Sequence, residues 1–154
     1  MRRANDVAPA GEWPAARAVA TATLTLDQRH RRRIALRCDD GEDVMLDLPQ
    51  ATVLRDGDGL RLDDGGWVGV RAAPEELAEF RCATPEALAR LAWHLGNRHL
   101  PMQIVDGAIR IRFDHVVVAM ARGLGASVGR CRAGFDPEGG AYDQHSHRGH
   151  DDDG

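Results

Sequence analysis

Lysine is missing from this chain: all 20 of its basic side chains are arginine, which reads as a high-GC compositional bias rather than as chemistry. Against 24 acidic residues they leave a net charge of −4, so the basic face of a nucleic-acid binder is not expected. Aromatic residues make up 5%, too few for the strands to offer a platform for stacking RNA bases. Cysteine is scarce as well. Cys38, Cys82 and Cys131 are odd in number, far apart and form no C-x-x-C pair. They suit buried thiols in a reducing cytosol, neither a disulfide framework nor a zinc knuckle. No apolar run approaches the roughly 20 residues of a membrane span. Arg2 and Arg3 are followed by no apolar stretch, so no secretion signal is expected and the chain is placed in the cytoplasm. G-x-S-x-G, H-E-x-x-H and P-loop motifs are absent, and the carboxylates sit in turns rather than converging, so no enzyme is expected.

What remains is an ordinary globular composition, 43% hydrophobic over 154 residues, enough for one domain or two small ones. Residues 1–16 are rich in Ala, Pro and Arg without periodicity and are expected to be disordered. From 17 to 73 the pattern is short and β-like. Val19–Leu26 is strand-forming, Ile34 and Leu36 alternate, and Val44, Leu46 and Leu48 alternate until Pro49 ends the run. Asp40-Gly41, Asp56-Gly57-Asp58-Gly59 and Asp63-Asp64-Gly65-Gly66 are turn signals, and none carries the ligand ladder of an EF-hand. A small β-barrel or sandwich follows.

Pro74 opens a second region, 74–135, of different character. Leu77–Cys82 reads as a strand. Thr84 caps a helix with Pro85 at its first position and an apolar stripe of Leu88, Leu91, Ala92 and Leu95; Gly96-Asn97 ends it. Met102–Val105 and Ala108–Phe113 form a hairpin around Asp106-Gly107. Asp114 caps a second helix with Val117, Met120, Ala121 and Leu124 inward, stopped by Gly125, and Ser127–Cys131 is a last strand. The order β-α-β-β-α-β predicts a ferredoxin-like domain, so the whole chain is of the α+β class. Residues 136–154, rich in Asp, Gly and His, are expected to form a flexible tail.

The chemistry lies in the histidines. His94 and His99 stand at the end of the first helix of the second domain, His115 at the start of the next, and His145, His147 and His150 in the tail. Taken singly, His94 and His99 suit helix capping, His115 is a cap neighbour and His30 a solvated surface residue. Taken together, His99 and His115 flank the hairpin, whose antiparallel pairing brings both to one end of the sheet. The Cys, Asp and Glu partners of a closed site are missing around them. A two-fold axis beside His99 would supply two imidazoles from two copies, and His145-x-His147 would complete an open, exchangeable site.

Several runs resemble the urease accessory nickel metallochaperones, the UreE family. They are Leu46-Asp-Leu48-Pro49, Leu54-Arg-Asp56-Gly57-Asp58, His94-Leu-Gly-Asn-Arg-His99-Leu-Pro101-Met-Gln103-Ile104, Asp114-His115, Leu124-Gly125 and Phe135-Asp-Pro137-Glu138-Gly-Gly-Ala141-Tyr142 followed by His-x-His. The likeness runs from about residue 20 to 150. It implies a homodimer whose metal-binding domains meet at a two-fold axis, with His99 as the interface nickel ligand from both subunits. It implies a peripheral ligand at His115, whose partner position two residues earlier is here Phe113. His145 and His147 fall where the family's tail histidines add ligands, and His150 extends that set. The first domain resembles the family's peptide-binding-like domain, which docks onto the urease apoprotein complex; an accessory GTPase is a further implied partner. The expected activity is delivery of Ni²⁺ during urease maturation, with Zn²⁺ or Cu²⁺ also able to bind imidazole sites. The alternative is a docking module for a large enzyme assembly, with metal incidental. No nucleic acid and no membrane enter either reading.

Overall fold

The computed structural model describes residues 1–139. The chain divides into two units, Met1–Ala73 and a second beginning at Pro74. The first unit contains β1 (Arg2–Ala8), a 3-10 turn (Ala15–Arg17), β2 (Ala18–Leu24), α1 (Leu26–Arg29), β3 (His30–Arg37), β4 (Asp43–Val53), β5 (Gly59–Leu62) and β6 (Trp67–Ala72). They form one sheet in the order β2-β6-β5-β1-β4-β3. Leu36, Val44, Leu46, Leu48, Leu60, Leu62, Val68 and Val70 supply its core, and the alternation within β4 is the period-2 signal of a half-buried strand.

The first sixteen residues are not disordered, as composition had implied. β1 is an inner strand, parallel to β4 and antiparallel to β5, with Ala4 paired to Leu46 on one side and Leu62 on the other. The reason the pattern is silent is that β1 buries only one small residue fully, Ala4, with Val7 and Ala8 half-covered and Arg2, Arg3, Asn5 and Asp6 exposed. Arg2 and Arg3 are held by Asp64 and Asp47, each at 2.7 Å. Pro49 does not end β4 either. Arg31 pairs with Thr52 and Arg33 with Asp47, so the residues between them on β4 bulge from the ladder, and Pro49 needs no donor there.

The sheet's two edge strands are drawn together by side chains and by α1. The Asp39 amide donates to the Thr21 carbonyl at 2.8 Å. The Thr21 and Thr23 hydroxyls donate to its carboxylate at 2.7 and 2.9 Å, and these bonds hold the Asp39 carboxyl below the usual range. At the other end Thr25 and Gln28 form a capping box on α1. Its last residue, Arg29, is fully buried with Nε donating to the Leu24 carbonyl and Nη1 to the Leu54 carbonyl, both at 3.1 Å.

The second unit runs β7 (Pro74–Arg81), α2 (Pro85–Asn97), β8 (Gln103–Val105), β9 (Ala108–Arg112), α3 (His115–Gly123) and β10 (Ser127–Gly134). Its sheet has the order β10-β7-β9-β8 with every neighbouring pair antiparallel. Thr84 accepts from the Ala87 amide, and Asp114 from Val116 and Val117, so both helix starts are capped by the expected side chains. Asp106 and Gly107 both have positive φ, 51° and 75°, the pattern of a tight hairpin turn. Ala78, Phe80, Ile109 and Ile111 pack with Leu91 and Leu95 of α2 and Val117, Val118 and Ala121 of α3. Leu124 differs from expectation: α3 stops at Gly123, Leu124 is its C-cap, and the side chain is exposed. Cys38 is buried, while Cys82 and Cys131 are half-buried; all three are free thiols.

On the opposite face of this sheet Arg110 donates to Glu79 at 2.9 Å, both largely covered. That bond holds the Glu79 carboxyl below the usual range. Its folded value therefore lies under the unfolded one, so the pair stabilises above the ordinary glutamate value and the contribution disappears as pH falls through the folded value. Glu79→Gln is expected to melt lower than the parent at pH 7, with the gap closing as pH falls below the ordinary glutamate value; thermal unfolding across pH measures it. Ala4→Asp places an unpaired charge between β4 and β5 and is expected to cost about 3 kcal/mol or more, seen in thermal unfolding by circular dichroism.

Candidate metal site

Helix α2 extends through Gly96 and Asn97 and closes at Arg98 as C-cap. The His99 amide donates to the Gly96 carbonyl at 3.0 Å and the Leu100 amide to the Leu95 carbonyl at 3.5 Å. These are the two bonds of a Schellman closure, and Leu100 packs into the same core as Leu95. The closure needs a left-handed residue at His99, whose φ is 57°. Glycine is the usual occupant of that position because it has no Cβ to crowd the carbonyl. An exposed histidine stands there instead, with Pro101 following to prevent the helix from resuming. Its backbone is thus fixed by helix termination. His94, one turn earlier and half-buried, meets the exposed Trp93 ring edge-on at 5.1 Å.

His115 is exposed at the first position of α3, just after its Asp114 cap. Gln103 pairs with Arg110, so the segments leading back to His99 and forward to His115 leave β8 and β9 at the same end. The His115 ring lies edge-on to Phe113 at 5.0 Å, and the Arg130 guanidinium, which pairs with Glu76 at 3.4 Å, sits 4.0 Å over the Phe113 ring. Among the described residues no three His, Cys, Asp or Glu side chains stand together as a ready metal cage. His145, His147 and His150 lie outside the described residues.

One participant escaped the sequence reading. After β10 the chain buries Phe135 completely and reaches β8 at the far edge of the sheet. There the Glu138 amide donates to the Met102 carbonyl at 2.7 Å, and the Ile104 amide donates to the Glu138 carboxylate at 3.2 Å. The Asp136 amide also approaches the Gln103 side-chain oxygen at 3.4 Å. The start of the expected tail is thus bound beside the turn that carries His99. Only the Phe135–Tyr142 run marked this segment in the sequence, and it named no contact.

Residues 3–73 match the N-terminal domain of the UreE urease accessory protein, and residues 75–154 match its C-terminal domain. The chain belongs to the UreE urease accessory protein family. It is 52% identical over 153 residues to the urease accessory protein UreE of Bradyrhizobium sp. (strain BTAi1 / ATCC BAA-1182), covering 99% of this chain and 74% of that one. With UreE of Chelativorans sp. (strain BNC1) it shares 53% identity, covering 83% and 82% of the two chains. With UreE of Beijerinckia indica subsp. indica it shares 46%, covering 96% and 87%. Membership makes this UreE chain an accessory protein rather than an enzyme.

The backbone at His99 generates a prediction independent of any metal. His99→Gly is expected to raise folding stability by about 0.5–1 kcal/mol, because glycine adopts the left-handed closure without a Cβ. His99→Ala keeps the Cβ and is expected to bring no such gain. Denaturant unfolding of the two variants beside the parent separates these outcomes.

Proposed function

We propose that this chain is a nickel carrier that acts in urease maturation, binding Ni²⁺ as a homodimer and releasing it to the urease apoprotein complex with an accessory GTPase as further partner. The single observation behind this reading is His99, an exposed imidazole fixed in a left-handed helix closure where a glycine would be easier, in a member of the UreE family. One His99 from each copy begins the site, and His145, His147 and His150 add ligands to it. Two protomers are invoked because a single one offers no three-ligand cluster among the described residues. The same unit exposes Trp93, Ile104 and Val116 at 65%, 55% and 69%, apolar surface of the kind that self-association covers.

An open site built from such imidazoles suits cargo, since ligands on a surface turn exchange without unfolding a core. His115 is assigned a peripheral, weaker role, because Phe113 stands where a second imidazole would be needed and Arg130 lies over it. We read the second unit as ferredoxin-like from its β10-β7-β9-β8 order and antiparallel pairing. The first unit is assigned to docking on the urease complex, in the cytoplasm.

Imidazole must be neutral to bind metal, so nickel affinity is expected to fall as the solution is acidified. In calorimetric titration His99→Ala is expected to lose the tight nickel while keeping its fold and its mass by light scattering. Ending the chain after Tyr142 is expected to weaken nickel binding without abolishing it. Full affinity in His99→Ala would move the site to the tail. A second reading, a docking module without metal function, draws on the lack of a closed ligand cluster among the described residues. Under that reading, urease activation in a nickel-limited assay would be the same with His99→Ala as with the parent chain.

A further inference from the structure

β3 ends the first sheet, with β4 as its one strand neighbour among the described residues. An edge strand offers its outer row of amides and carbonyls to any extended chain that approaches. The opposite edge strand, β2, is joined to this side through Asp39, past the end of β3, and α1 precedes its start. Between those two points Arg31, Arg32, Arg33 and Ala35 are exposed, a stretch of about 14 Å. An exposed alanine in mid-strand leaves the outer face uncovered there. We propose that this edge of β3 is a docking site for an acidic, extended segment of a partner protein, which adds to the sheet as a further strand. The proposal rests on the docking role assigned to the first unit above.

Charge selects the occupant. Ile34 and Leu36 belong to the core, so by strand alternation Arg31, Arg33 and Ala35 share the outer face. Arg3 and Arg33 share the single carboxylate of Asp47 at 2.7 and 3.1 Å, with their side chains 54% and 62% exposed. Arg31 and Arg32 direct Nε to the backbone carbonyls of Asp27 and Leu48, bonds that orient a guanidinium without cancelling its charge. Asp27 adds one exposed carboxylate. Four cations against these two carboxylates leave this end of the sheet positive, in a chain whose net charge is −4. A second copy of β3 would bring arginine opposite arginine and is disfavoured. Nucleic acid or a membrane surface would answer the charge but has no peptide backbone to pair with the edge. An extended peptide with carboxylates on alternate residues answers both, setting its acids beside Arg31 and Arg33 and its other side chains beside Ile34.

The probe is a fluorescein-labelled peptide, Glu-Val-Glu-Val-Glu-Val-Glu, titrated with the whole protein and read by fluorescence anisotropy. The parent chain is expected to bind it, and the double variant Arg31→Gln/Arg33→Gln about fivefold more weakly at unchanged melting temperature. Arg31→Gln alone leaves Asp47 paired; it is expected to lose about twofold and serves if the double variant folds poorly. N-methylation of alternate peptide residues separates strand addition from plain attraction, because it removes donors and leaves the charge. One of the two alternate sets faces the edge, and methylating that set is expected to abolish binding. Binding indifferent to both methylated sets, with an RNA oligonucleotide competing equally, would be general polyanion attraction and overturns the proposal. Retention of the urease apoprotein complex is measured beside it, and the double variant is expected to hold that complex more weakly than the parent. No peptide binding, or an equal hold on the complex by parent and double variant, overturns the edge and leaves the docking role to another face. If the parent holds no complex at all, the docking role falls and this proposal with it.

Discussion

Two hydrogen bonds at the end of α2, from Leu100 to Leu95 and from His99 to Gly96, govern the arrangement of the second unit. They reverse the chain at a defined point, so that Leu100 returns to the core and β8 begins on the sheet's edge rather than beyond it. The reversal demands a left-handed residue, and that residue is His99, the imidazole that the proposed function makes a ligand. On that proposal helix termination and ligand presentation are one constraint. A flexible loop would hold the same side chain with far more freedom to lose on binding metal.

Charge is handled differently in the two units, although all the cations are arginine. In the first unit guanidinium groups compensate strands with little apolar content: Arg3 and Arg33 converge on Asp47, and buried Arg29 ties two carbonyls. In the second unit Arg110 and Glu79 occupy the sheet face away from the helices, where both are largely covered. Arg130 stacks on Phe113 beside His115. Arginine's planar, permanently charged fork suits all of these roles better than a lysine ammonium would.

Where the local signal and the tertiary outcome share a cause, the sequence was legible. Thr84 and Asp114 cap the helices they precede, Asp106-Gly107 turns the hairpin, and the period-2 run through Leu48 is a strand. β1 was not legible, because a strand that buries one alanine and neutralises its arginines on partners far along the chain has no periodicity to find. Pro49 misled for the opposite reason: its local rule holds, but a bulge removes the demand for its missing donor. At the site, residue type and spacing pointed to His99 and not to its backbone, since only a closed helix shows that a left-handed residue is required. The place of Glu138 depends on partners up to 36 positions earlier in the chain, a separation at which sequence pattern carries no contact information.

The position of β1 also bears on the order in which the first unit can form. Its neighbours on either side are β4 and β5, so Ala4 has no complete setting until Leu62 has left the ribosome. The β3–β4 hairpin is local and can assemble earlier, whereas β1 inserts across a separation of about forty to sixty residues, the kind of long-range pairing that slows folding. During that interval an unpaired inner strand edge is open to other chains, which makes the first unit the more vulnerable to misassembly during synthesis. Charged Arg2, Arg3 and Asp6 on the waiting strand act as gatekeepers over that interval, keeping soluble a segment whose native place is the middle of a sheet.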